Sequence, residues 1–151
     1  MIERLLNFLN GKLPAEQAED DLRIAVAALL VEAARMDDRF DESERQAIVR
    51  LLADRFAMAP EAALRLLEDA REMVTRSTQL FPFTSLAVKR LDEAERVRLI
   101  EMLWHVAYAD GVLDPQEDML VRRIAGLIHV SDRARGEAKL RALAQAGKGR
   151  H

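Results

Sequence analysis

The feature that most constrains the fold of this chain is a segment that occurs twice. Residues 30–51 read LVEAARMDDRFDESERQAIVRL and residues 103–124 read LWHVAYADGVLDPQEDMLVRRI. Each copy places an apolar helix before a sharp acidic turn and begins a second helix after it. Both carry the pattern D-x-x-x-D-x-x-E, with 73 positions between corresponding acids: Asp37, Asp41 and Glu44 in the first copy, and Asp110, Asp114 and Glu117 in the second. The repeat predicts two related helix–turn–helix units.

The composition indicates one helical domain. A chain of 151 residues is long enough to bury a single hydrophobic core. Half of its residues are apolar, and few are aromatic, glycine or proline. No segment alternates apolar and polar residues, so we expect no strands. We predict an all-α fold, a bundle of about seven helices with an internal pseudo-twofold repeat, that occupies residues 1–151 as a single domain.

Charge and cysteine content exclude several classes of protein. A net charge of −3 gives no general attraction to nucleic acid. With no cysteine, the chain has no disulfide framework and no thiolate metal site. The longest uncharged apolar stretch, Ile24 to Val31, is far shorter than the roughly 20 residues that span a bilayer. We therefore expect a soluble, cytoplasmic protein without a transmembrane segment or a secretory signal.

Apolar spacing and capping residues divide the chain into helices. The segment from Ala15 to about Met36 is apolar on every side in its middle, which predicts a central helix; Asp21 is assigned to its polar end. Residues 77–85, whose Phe81 and Phe83 are expected to pack as a plug, should link half-repeats at roughly 20–76 and 86–145. Residues 147–151 should form a frayed tail. Further helices are expected near residues 1–10, 41–56, 60–76, 92–109, from 114 onward, and 131–144.

Two interpretations of the six turn acids remain open. In the first, Asp41 and Asp114 are N-caps, and Glu44 and Glu117 reach back to them. Capping does not require the first acid of each pattern, which ends the preceding helix, where negative charge is unfavourable. The second interpretation is a divalent-cation site, for Ca²⁺, Mg²⁺, Mn²⁺ or Zn²⁺, held by carboxylates that approach each other across the pseudo-twofold axis. The spacing is not that of an EF-hand loop.

A polar residue interrupts each apolar helix at the same position of the repeat, Glu32 in the first copy and His105 in the second. Glu101 and Tyr108 lie one turn before and after His105 on the same helix face. These polar groups are either half-buried and satisfied by hydrogen bonds, or additional ligands of a metal.

No catalytic template fits the chain, so we expect no enzyme. It lacks G-x-S-x-G, a glycine-rich phosphate loop, H-E-x-x-H, and a nucleophile with a plausible base. The last predicted helix is basic, with Arg133, Arg135, Lys139 and Arg141. This basic face is either solvated or a contact surface for an acidic protein partner.

The segment LWHVAYADGVLDPQEDMLVRRIAGLIHVS, from Leu103 to Ser131, closely resembles the TerB-type family linked to tellurite resistance. An apolar helix ends there in A-x-A-D-G, and an acid-started helix follows. The resemblance extends over roughly residues 20–130. It implies an all-helical, internally pseudo-symmetric fold and a non-enzymatic role in stress response, with metal binding and membrane-associated complexes proposed for the family. The first copy departs from the pattern, since Asp38 stands where the second has Gly111; at a positive φ, aspartate is tolerated at some cost.

Two functional hypotheses follow. In the first, the protein is a TerB-like tellurite-resistance or stress-response module that binds a divalent cation at the paired acidic turns and presents a surface to a protein partner. It would act in the cytoplasm, or peripherally at the inner face of the membrane. In the alternative, the acids only cap helices, and the basic C-terminal face docks the partner. Tellurite is itself an anion, so its direct capture by these acids is physically unfavourable.

Overall fold

The computed structural model describes residues 15–34, 42–76, 79–109, 111 and 114–148. Within these ranges the chain is helical and contains no strand, which confirms the predicted all-α class. The helix predicted at residues 1–10 lies outside them. Seven helices are described: α1 (Ala15–Ala34), α2 (Glu42–Phe56), α3 (Pro60–Arg76), α4 (Phe81–Arg90), α5 (Glu93–Ala107), α6 (Pro115–Leu127) and α7 (Asp132–Lys148).

Helix α1 is the centre of the core. From Ile24 to Ala34 every residue is buried except Glu32, which is half-buried. The helix contacts α2, α3, α4, α5 and α6, so its whole circumference is covered. Each fully buried leucine, such as Leu29 or Leu30, stabilises the fold by about 1.5–3 kcal/mol. A helix that is apolar on every side is stable only in such a position.

The contacts between helices are reciprocal between the two halves. In the first half α1 packs most extensively on α3, and in the second half α5 packs most extensively on α7. Across the halves, α2 contacts α5 and α6 contacts α1. Corresponding side chains are also equally buried, as Ile48 and Val121 show. A pseudo-twofold arrangement requires this reciprocity; the pseudo-twofold relation itself stays a prediction.

Helices α2 and α6 end in the same kind of turn. After α2, Ala57 has φ 51°, and after α6, His129 has φ 62°. In each turn an N–H group reaches back five residues, from Met58 to the carbonyl of Ala53 at 3.0 Å and from Val130 to the carbonyl of Ala125 at 2.9 Å. A left-handed residue followed by such a bond closes a helix C-terminus and satisfies a carbonyl that would lack a partner.

The predicted linker at residues 77–85 is wrong in its second part, because α4 begins at Phe81. Pro82 lies in the first turn of α4, where the missing N–H is no loss, since the first N–H groups of a helix have no intrahelical acceptor. Phe83 is buried as predicted, but Phe81 is exposed, so only one of the two rings fills the core.

The last helix is longer than expected. It was predicted to end near Ala144, but α7 continues to Lys148 and includes the first part of the predicted tail. Gln145 and Ala146 favour helix, and no proline follows to break it. Residues 149–151 of the predicted tail lie outside the described ranges.

Candidate functional site

The two glutamates of the repeated acidic pattern are buried. Glu44, in the first turn of α2, and Glu117, in the first turn of α6, are each only 2% exposed. Burial of an ionised carboxylate costs several kcal/mol unless opposite charge or hydrogen bonds offset it. Both glutamates take part in interactions within the protein, and their burial at the same position of the repeated pattern distinguishes the starts of α2 and α6.

The start of α5 provides a comparison for this burial. Helix α5 begins with a complete capping box, as predicted, in which Asp92 accepts from the Glu95 N–H at 2.8 Å and Glu95 accepts from the Asp92 N–H at 3.1 Å. Yet the Glu95 side chain remains 37% exposed. A capping glutamate can thus remain partly exposed, whereas Glu44 and Glu117 are almost completely buried.

Asp114 has the predicted capping role. Its side chain accepts a hydrogen bond from the Gln116 N–H at 2.8 Å, and Pro115 occupies the first position of α6. In the preceding turn, Gly111 has φ 86°, in the left-handed region that favours glycine, and its N–H donates to the Tyr108 carbonyl at 2.9 Å. The turn of the second copy therefore uses the conformational freedom of Gly111, whereas the first copy has Asp38 at the corresponding position.

The predicted cation site is described only in part. Asp37, Asp41 and Asp110 lie outside the described residues. Within the described ranges, which include Glu32 and His105, no three histidine, aspartate or glutamate side chains form a group able to hold a metal ion. The six-acid site and the two additional ligands thus stay predictions.

The burial of one acid, Asp21, was not predicted from the sequence. Asp21, assigned to the polar end of the central helix, is fully buried in α1. It precedes Ala25 by four residues and Ala28 by seven, and this spacing places it on the apolar face of the helix. Helical position, rather than residue type, was the signal that could have revealed its burial.

His105 lies half-buried on α5, and its side chain is hydrogen-bonded to that of Gln145 on α7. Burial lowers the pKa of His105, because a charged ring would lose solvation. The charge of Glu101 opposes this effect. Glu101 also accepts from Arg141, with Nε and Oε2 3.3 Å apart. The predicted carboxylate neighbour is present, although an arginine shares it.

The basic residues of α7 are already paired within the protein. Arg133 pairs with Glu137 at 3.2 Å, Arg135 with Asp132 at 2.8 Å, Lys139 with Asp118 at 3.5 Å, and Arg141 with Glu101 at 3.3 Å. The predicted contact surface therefore carries much less uncompensated positive charge than its sequence indicates. Two leucines on the same helix, Leu140 and Leu143, are instead exposed.

Lys139 also contacts one ring of the aromatic pair on α5, Trp104 and Tyr108. Its ammonium nitrogen lies 5.0 Å from the centroid of the buried Trp104 ring, within cation–π distance. The Trp104 and Tyr108 rings are 6.3 Å apart. Burial raises the pKa of Tyr108, and the charge of Asp118 raises it further. The pair is thus part of the packing between α5, α6 and α7.

A cleft between α2, α5 and α7 gathers polar side chains from both halves. His105 and Tyr108, on its α5 wall, stand out in the sequence, but no sequence pattern indicates Arg50, Asp54 and Gln145 on the facing helices. These three are exposed helix residues with no distinctive local pattern. Only the packing of the two halves brings them to the histidine.

The described helices define an all-α protein built around the central helix α1. No helix in the described ranges combines the length and the apolarity needed to cross a membrane. The chain belongs to the TerB family: the model described as "Tellurite resistance protein TerB" matches residues 23–140, from α1 into α7. No curated protein and no solved structure gives a match. Membership confirms the family inferred from the A-D-G turn.

Proposed function

We propose that this protein is a non-enzymatic binding or scaffold module of a tellurite-resistance or stress-response system, and that its paired acidic turns bind a divalent cation. The observation that carries the proposal is the burial of Glu44 and Glu117 at the same position of each repeat. The TerB family match supports the tellurite-resistance context.

The chemistry of the turns suits a hard cation. Two carboxylates in the first turns of α2 and α6, together with the aspartates of the same patterns, offer several oxygen ligands, which Ca²⁺ and Mg²⁺ prefer. Bound charge would add to the interactions that Glu44 and Glu117 already make within the protein. A pseudo-twofold relation between the halves would bring the two turns toward each other. Mn²⁺ and Zn²⁺ are further candidates, since they also bind carboxylates.

In this mechanism the cation stiffens the turns before α2 and α6. Because α2 contacts α5 and α6 contacts α1, stiffer turns would hold the two halves in one relative position. The surface of the module would then be ready for a protein partner, in the cytoplasm or in a complex at the inner face of the membrane. No chemical step is needed.

The test is a thermal melt of metal-stripped protein with Ca²⁺, Mg²⁺, Mn²⁺ or Zn²⁺ added singly. An ion at about 100 times its Kd should stabilise the fold by roughly 2.7 kcal/mol. For a chain of 151 residues, that corresponds to a rise in Tm of about 8 °C. The double variant Asp110→Asn, Glu117→Gln should lose this rise.

The double variant Asp92→Asn, Glu95→Gln is the matched control. It makes the same two changes of side chain in the capping box of α5, away from the acidic turns, and should keep the full metal response. Should the acidic-turn variant keep the response as well, the metal site lies elsewhere. A flat response of the wild-type protein to all four ions would refute the cation-binding proposal.

A second candidate function is a structural interaction module that docks a partner through α7. The exposed leucines at 140 and 143 favour it. It predicts no metal response, and loss of partner binding when Arg135 and Lys139 are neutralised. Because the Arg135 and Lys139 side chains are already paired with acids within the protein, neutralising them should weaken partner binding less than Leu140→Ser does.

A further inference from the structure

A continuous cleft lies where α2, from the first half, faces α5 and α7, from the second. It consists of two adjoining cavities of about 490 and 340 Å³, and both are lined by Leu51, Asp54, His105 and Gln145. Volumes of a few hundred Å³ are typical of sites for small molecules. Leu51 and the buried Met102 make part of the lining apolar, and polar side chains make up much of the rest.

Some of the charged side chains that line this cleft form ion pairs within the protein, and others do not. Arg55 pairs with Glu95 at 2.9 Å, and Glu101 pairs with Arg141, so those charges are offset within the protein. Arg50, Asp54 and Arg98 also line the cleft, and none of the three has an ion-pair partner among the described residues. Among the described residues that line the cleft, these two arginines and one aspartate leave one positive charge without an ion-pair partner.

His105 lies in the wall between these charges. Arg50 and Asp54 on α2 and Gln145 on α7 line the cleft beside it. Arg98 and Glu101, on its own helix, line the cleft as well, and Arg141 of α7 pairs with Glu101. Burial and the nearby Arg50 both lower the pKa of the ring, while Glu101 and the hydrogen bond to Gln145 raise it. An anion beside Arg50 would cancel the repulsion from that arginine, and the ring would then accept a proton more readily.

A neutral donor completes the lining. Burial and, to a smaller extent, the charge of Asp118 on α6 raise the pKa of Tyr108, so its hydroxyl keeps its proton at neutral pH and can donate a hydrogen bond. Asp118, like Asp54, would repel a bound anion. Guanidinium N–H groups form strong, charge-assisted bonds with the oxygens of carboxylates and oxyanions. Arginine, histidine and tyrosine donors in one concave place form a suitable donor set for such a group.

We propose that this cleft binds a small oxygen-bearing anion, a carboxylate or an inorganic oxyanion, through Arg50, His105 and Tyr108. Arg98 adds attraction from the other end of the cleft, and Asp54 limits the affinity by repulsion. The site uses none of the acids of the turns, so it stands apart from the cation site proposed above. Binding is coupled to uptake of a proton by His105 and tightens as the pH falls.

The test is a titration of the full chain with sodium sulfate, and separately with sodium malonate, at constant ionic strength. Histidine ring signals are followed by NMR at about pH 6 and about pH 8, on either side of the usual pKa of histidine. We expect saturable shifts of the His105 signal, tighter binding at the lower pH, and a higher pKa of His105 at saturation. His105→Gln assigns the signal.

Three substitutions distinguish this site from general attraction to positive charge. Arg50→Gln should weaken binding at least about tenfold, the usual loss for one charge-assisted bond, while Asp54→Asn should tighten it severalfold. Arg76→Gln removes another exposed arginine, which is paired with Glu72 on α3 and lies outside the cleft, and should leave binding unchanged. Far-ultraviolet circular dichroism shows whether each variant keeps the helical fold.

Saturable binding of either anion supports the proposal and indicates the class of the ligand. Saturation by malonate but not by sulfate indicates a carboxylate, and the reverse indicates an inorganic oxyanion. Linear, non-saturating shifts with both anions would overturn it. So would Arg50→Gln and Arg76→Gln variants that titrate alike, or an Asp54→Asn variant that binds less tightly than wild type.

Discussion

The two left-handed turns offer a direct test of how the repeat is built. Ala57 and His129 adopt φ values of 51° and 62°, where residues other than glycine are strained. Both residues are exposed, so a substitution there removes little packing. We predict that Ala57→Gly and His129→Gly each stabilise the fold.

The size of the gain is a difference between two effects. A left-handed conformation costs a residue with a Cβ about 1–2 kcal/mol, and glycine removes that cost. Glycine also increases the conformational entropy of the unfolded chain, which lowers the free energy of unfolding by about 0.4–1 kcal/mol. The net gain is about 0.5–1 kcal/mol per turn, or roughly 2–3 °C in Tm for a chain of this length.

Urea denaturation followed by circular dichroism measures this gain as a higher midpoint with an unchanged slope. Ala144→Gly, at an exposed position inside α7, is the control and should lose about 1 kcal/mol. If the glycine variants at both turns unfold at lower urea than wild type, the strain argument is wrong. A gain at one turn only would contradict the equivalence of the two turns.

Three further results are expected. Stability should fall as the pH drops from about 7 to about 5.5, because burial lowers the pKa of folded His105 and the unfolded chain takes up the proton first; His105→Gln should flatten this part of the urea-midpoint profile, and an unchanged profile would count against it. Asp92→Ala should cost about 1 kcal/mol in urea melts through loss of the α5 cap, and no loss would refute the capping role. Lys139→Met should change the fluorescence of Trp104, the single tryptophan, and cost at most about 1 kcal/mol, since the lysine is partly exposed; an unchanged spectrum would exclude the cation–π contact.

Local patterns in the sequence predicted most of the helices and part of the site. The apolar run from Ile24 to Val31 is buried in the central helix, and the capping residues Asp92 and Asp114 mark helix starts. Two errors came from applying a local rule too widely: Pro82 lies within the first turn of α4 rather than in a linker, and Asp21 is buried although it is an acid.

The sequence by itself determined the helical class, because helix formation depends on residues within about four positions of each other. It also indicated the family, because the A-x-A-D-G turn and the helix after it are one continuous segment. Only the tertiary structure decided which charges are free. Arg141 meets Glu101 and Arg55 meets Glu95 from 40 positions away. Such pairs depend on which helix faces come together, and this depends on the packing of the whole core. For that reason the basic face of α7 proved to be internally paired, and the cleft beside His105 appeared only in the structure.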